Sequence, residues 1–227
     1  MPSRLPSPLQ ALESEQTLIC AYLVPAMQRI TDALRNGYSY FTSGEVDLAT
    51  APRLIAKLQG RFPGLSRNRK HAYRVRKAGG ARYKLVAHWN GSAGFMRFVL
   101  FTDRPSPGDG ETWADARRKQ SRLALYEYEA LQMTKRGLSG PAWTWQIQRG
   151  VVDDYRRLAR SLINSRRQDD IERMIQLTVT WPGFAGIRQQ RASLKAAVDR
   201  DWRIAMPSGV PPPPWPRLRY VQRVRTR

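Results

Sequence analysis

His71 and His88 are the only imidazoles in the chain, and they bound the catalysis it could perform. They lack the close His-x-His spacing of a rolling-circle or relaxase metal site. The carboxylate candidates for a hydrolytic metal centre are adjacent or alternate pairs, among them Glu127 with Glu129, Asp153 with Asp154, Asp169 with Asp170 and Asp199 with Asp201. Such a centre needs several ligands converging on one point, and adjacent acids on a helix diverge. Asp153-Asp154 and Asp169-Asp170 are instead expected in first helical turns, where the macrodipole favours negative charge. Glu127 and Glu129 share a strand face and are expected to pair across strands with Arg or Lys. The single cysteine, Cys20, builds neither a disulfide nor a thiolate metal site within one chain. No metal or cofactor is expected. What remains is metal-free phosphodiester cleavage, with one His as general acid or base and cations stabilising the phosphorane as a 2′-hydroxyl attacks. His88 is the candidate for that role; a lone His beside Trp89 is more often structural, and no enzymatic activity is assigned.

Phosphate binding is the second chemistry, and here the residues are abundant. Residues 61–104 hold eleven Lys or Arg against one acid, Asp103, in a protein of formal net charge +21. Candidate contacts are Arg67, Arg69 and Lys70 in a loop, and Arg74, Arg76, Arg82, Lys84 and Arg97 on strands. Arg117, Arg118 and Lys119 follow on a short helix, and Arg217, Arg219, Tyr220, Arg223 and Arg225 on a C-terminal arm. Phe95 and Phe101 share strand parity with Arg97 and either stack on bases or belong to the core. Arg outnumbers Lys by 32 to 7. A guanidinium fork grips phosphate bidentately and stacks on bases, although a GC-rich coding sequence explains the bias equally well.

The elements that must position these residues follow from periodicity. Residues 71–77 and 81–89 alternate about Gly79-Gly80 and read as a β-hairpin, with Phe95–Thr102 as a third strand after Asn90-Gly91. Tyr83, Leu85, Ala87 and Trp89 then share one face, and Arg82, Lys84, Val86 and His88 the other, which predicts a sheet with one face buried and one strongly basic. Before it, three- and four-residue spacing predicts a helix from Leu9 to Asn36, a short strand at Tyr38–Phe41 and a helix at Leu48–Phe62. After it come a short helix (Thr112–Arg122) and two strands (Leu125–Thr134 and Ala142–Gln148) that extend the same antiparallel sheet to about five strands. Helices at 151–164, 169–180 and 186–204 complete the body. The prolines of 210–216 predict an extended linker carrying the arginine arm away from it.

The fold class read from this pattern is α+β, with an N-terminal helix, a mainly antiparallel sheet and a C-terminal helical region. The division is residues 1–150, 151–206 and a Pro- and Arg-rich tail at 207–227. Neither a signal-peptide run nor a stretch of roughly 18 apolar residues is evident, so a soluble cytoplasmic protein without membrane contact is expected. So large a positive excess favours a polyanion as partner. The expected function is binding RNA or single-stranded DNA through the basic sheet face and the arm, as one subunit of a nucleoprotein complex. The electrically neutral first sixty residues are left as scaffold or as a surface for other proteins. Two alternatives stand beside it. One, by analogy of class, is a metal-independent endoribonuclease of the kind that processes CRISPR guide precursors; the other is a DNA-binding protein of a plasmid or integrative element.

Overall fold

A computed structural model describes residues 7–106, 110–134 and 140–221, without the side chains of Ser7, Pro8 and Arg69. Residues 1–6, 107–109, 135–139 and 222–227, and with them the tail candidates Arg223 and Arg225, lie outside the described residues. In chain order the elements are α1 (Ser7–Gln10), β1 (Thr17–Cys20), α2 (Leu23–Arg35), β2 (Tyr40–Asp47), α3 (Ala51–Arg61), α4 (Arg69–Lys77), β3 (Tyr83–Asn90), β4 (Phe95–Thr102), β5 (Ala114–Asp115), β6 (Ala124–Leu125), β7 (Tyr128–Thr134), β8 (Pro141–Ile147), α5 (Arg149–Asn164), α6 (Gln168–Leu177) and α7 (Ala185–Ala205). The class is α+β.

The strand after Asn90-Gly91 forms as expected and pairs antiparallel in the β3–β4 hairpin, with Val86 opposite Val99 and Asn90 opposite Phe95. It sits at the centre of a mixed five-stranded sheet of order β1-β3-β4-β2-β5, in which β1 runs parallel to β3. Side-chain parity is as the alternation predicts: Leu85, Ala87 and Trp89 share a cluster with Met96 and Leu100. That cluster is closed by Ile55 and Leu58 of α3 and by Leu65. The difference lies on the other face. Val86, Val99 and Phe101 are also buried, beneath Met27, Ile30 and Leu34 of α2. A sheet with apolar residues at both parities is covered on both sides, so the exposed basic sheet face expected from the sequence does not form.

Four other expectations are corrected. The predicted helix from Leu9 to Asn36 is broken because the Ser14 hydroxyl accepts from the backbone N–H groups of Gln16 and Thr17. Such local bonding competes with the helix, and it frees 17–20 to pair with β3. The predicted helix at Thr112–Arg122 is a strand and a 3-10 turn, since the Asp115 carboxylate accepts from the Arg117 N–H and closes a turn instead. β7 and β8 form a separate three-stranded sheet with β6. They are held from the first sheet by α2, where the buried Trp145 indole donates to the Met27 carbonyl and the Thr31 hydroxyl. α5 starts at Arg149, so Asp153 and Asp154 lie beyond its first turn, whereas Asp169 and Asp170 occupy that of α6 as expected.

The tail is a further correction. Rather than leading away, residues 210–221 return along the helical region: the Trp202 indole donates to the Val210 carbonyl, and Trp215 and Leu218 pack against the core. Gly183 permits this, because a Cβ there would lie 1.8 Å from the Arg219 carbonyl oxygen.

Candidate nucleic-acid interface

The region read as the first strand of the basic hairpin is the helix α4. Asn68, in extended backbone, accepts a hydrogen bond from the His71 N–H and caps its start. At the other end Gly79 takes φ +77°. Its N–H and that of Gly80 donate back to Arg76 and Val75, so the Gly-Gly pair stops a helix and turns no hairpin. Both ends are fixed to the body. Leu65 in the preceding turn is fully buried, and the Arg104 guanidinium donates to the Gly79 carbonyl at 2.7 Å.

Between those anchors, none of the described side chains of α4 is buried. Ala72, Val75 and His71 are partly covered, while Lys70, Tyr73, Arg74, Arg76 and Lys77 are exposed, Tyr73 to 67%. At 3.6 residues per turn those five project over about 160° of the helix. Among the described residues, none of the four cations has an acidic partner. Acids are absent locally by sequence: residues 48–102 contain twelve Lys or Arg and no Asp or Glu. Like charges at i, i+4, such as Lys70 and Arg74, cost an isolated helix about 0.2–0.5 kcal/mol. Lys70 in the first turn also opposes the macrodipole. The face is therefore destabilised by its own charge until anions approach it. Arg67, one residue before the cap, is exposed beside it.

The sheet cations behave differently. Arg82 pairs with Asp103 at 2.7 Å, and its guanidinium stacks over Tyr38 at 4.7 Å. Lys84 donates to the Glu15 carbonyl. Arg97 pairs with Glu45 at 2.7 Å and lies against the rings of Tyr126 at 4.2 Å and Phe95 at 5.5 Å. Phe101 is core. These three cations are attached to their own neighbours and do not form one open surface.

His88 is buried, and one of its ring nitrogens is engaged by the Tyr126 hydroxyl at 2.7 Å. Burial, and then the Arg97 charge, hold its pKa below the usual imidazole value. Tyr126 reaches it from the β6–β7 turn with φ +56°, an uncommon conformation for a bulky residue that costs about 1–3 kcal/mol. His88, Tyr126 and Arg97 thus clasp the two sheets together.

Of the remaining candidates, Arg117 is held by Asp115 through two bonds of 2.9 and 2.8 Å, and that guanidinium keeps the Asp115 carboxyl below its usual range. Arg118 and Lys119 are exposed. On the tail, Arg217 and Arg219 are exposed, and Tyr220 stacks beneath Arg188 at 4.0 Å. Glu129 pairs with Arg122 at 2.8 Å, but Arg122 precedes β6 and Glu127 lies in the β6–β7 turn, so the two acids do not share a strand face as the pattern predicts. Tyr73 and Lys77 were not among the sequence candidates. The signal for them is a capping residue, Asn68, followed by cations at helical spacing. Among the described residues no group of three or more His, Cys, Asp or Glu could hold a metal ion, and no helix is long and apolar enough to cross a membrane. Comparison with protein-family models, curated proteins and solved structures finds no match to the chain.

Proposed function

We propose that the protein binds nucleic acid, with phosphates laid against the exposed face of α4. One observation carries this reading: Lys70, Arg74, Arg76 and Lys77 project together from a helix with no buried described side chain and no acidic partner among the described residues. Cations grouped on one face of a strongly basic protein are the electrostatic footprint of a polyanion site. Phosphate contact there relieves the repulsion between them and releases counterions. The ground for preferring a single strand was an open basic sheet with stacking aromatics, and that ground is gone. The nuclease alternative gains no support, because general acid–base chemistry needs reach to the scissile phosphate and His88 is 7% exposed behind Tyr126.

Fluorescence anisotropy of the full chain with labelled DNA and RNA across a salt series tests the proposal. Replacing Lys70, Arg74, Arg76 and Lys77 together by Ala is expected to lower the slope of log affinity against log salt by about four, and affinity uniformly across sequences. Unchanged affinity in that variant, or no binding by the parent chain, overturns the reading.

A further inference from the structure

We infer that the ligand of α4 is duplex DNA of B form, with this helix seated in the major groove. This rests on the nucleic-acid reading above and narrows it. Three observations on α4 carry it. The first is shape. α4 has nine residues, about 14 Å of helix with a diameter near 10–12 Å including side chains. The B-form major groove, about 12 Å wide and 8.5 Å deep, admits such a cylinder, whereas the A-form RNA major groove is too deep and narrow for side chains to read. Presentation is the second. Among its described side chains the helix is partly covered only along His71, Ala72 and Val75, and it is tied down at its two ends, leaving the opposite half of its surface exposed and able to enter a groove.

The third is the arrangement on that free half. Tyr73 is flanked by cations on both sides, Arg76 on one edge and Lys77, Lys70 and Arg74 on the other. A helix lying in a groove has a phosphate strand along each wall, so cations at both margins of the arc meet opposite backbones while the middle faces base edges. Arg67, before the N-cap, adds a cation beyond the first turn. A single strand calls for successive aromatic platforms, and α4 offers one exposed ring. The other strongly exposed aromatics are Tyr22, before α2, and Tyr220, under Arg188 on the tail.

The test compares a duplex DNA of about 30 base pairs with each of its single strands and with double-stranded RNA of the same sequence, at one salt concentration. Duplex DNA is expected to bind at least about tenfold more tightly than the other three. Methylation of guanine N7, in the major groove, is expected to interfere with binding, and methylation of adenine N3, in the minor groove, is not. Y73A, its fold checked by circular dichroism, is expected to lose at least about fivefold for the duplex and less than twofold for the single strands. Equal or tighter binding of a single strand or of double-stranded RNA, or interference from adenine N3 alone, overturns this inference while leaving the nucleic-acid reading intact. Absence of binding to all four probes overturns both.

Discussion

Two stretches of this protein carry the same number of cations against very different numbers of acids. Residues 48–102 and residues 149–205 each contain twelve Lys or Arg, but the first has no acid and the second has seven. In the second most of the cations are paired within the stretch. Asp153 pairs with Arg149 and Arg156, Asp154 with Arg157, Asp170 with Arg167 and Arg173, and Asp201 with Arg160 and Arg200. Arg191 is buried, donates to Thr178 and stacks over Trp215. Arginine abundance alone therefore locates nothing; the absence of acids around an exposed helix does.

The contrast is broken first by stability. Trp202 is fully buried at the centre of the helical region, and Trp202→Ala is expected to cost about 3–5 kcal/mol in denaturant unfolding, whereas Tyr73→Ala on α4 should cost less than about 0.5 kcal/mol. A destabilised Tyr73 variant would show that α4 is part of the core. Binding is the reverse measurement. Reversing Arg74 and Arg76 together to Glu is expected to lower DNA affinity about 100-fold at physiological salt, and reversing Arg157 and Arg160 less than about threefold. Equal losses would remove the distinction between the two stretches.

A smaller effect separates the tail from α4. In Gly183→Ala the new methyl meets the Arg219 backbone, which must move. Trypsin cleavage at Arg217 and Arg219 is expected to accelerate about tenfold, corresponding to roughly 1.4 kcal/mol of lost docking, with DNA affinity unchanged. Unchanged cleavage would mean that the tail is not held there.

Much of the architecture was legible in the sequence because periodicity reports which side chains are buried. The strands β3 and β4, the buried row of Trp143, Trp145 and Ile147, and the inward face of α7 through Ile187, Leu194, Val198 and Trp202 all follow from it. Periodicity failed where two periods fit the same residues. His71–Lys77 alternates as a strand, yet its cations also recur at helical spacing, and Asn68 decides between them by capping the chain. It also does not say what covers a face: Val86 reads as a lone apolar residue among cations until α2 is placed over it. Of the candidate site, Arg67, Lys70, Arg74 and Arg76 are brought together around α4. Arg82, Lys84 and Arg97 are not, since Asp103, the Glu15 carbonyl and Glu45 come from elsewhere in the fold to meet them.

The smallest expected effect concerns protons. The exposed cations of α4 are Lys and Arg, and binding through them should depend on salt. The fold, by contrast, contains one imidazole, His88, whose pKa is lowered by burial and then by the Arg97 charge. In the unfolded chain His88 takes a proton near pH 6.5; in the folded chain its pKa is lower, so between those values the unfolded state binds more protons. Stability is then complete above the unfolded value, falls as pH drops towards the folded one with a slope of at most about 1.4 kcal/mol per unit, and levels off below it. His88→Gln removes this titration and is expected to flatten the difference in unfolding free energy between pH 7 and 5, at the cost of a lower plateau where the Tyr126 contact is weakened. If the variant retains the full pH slope, that dependence belongs to other groups, and the junction between the two sheets contributes nothing to it.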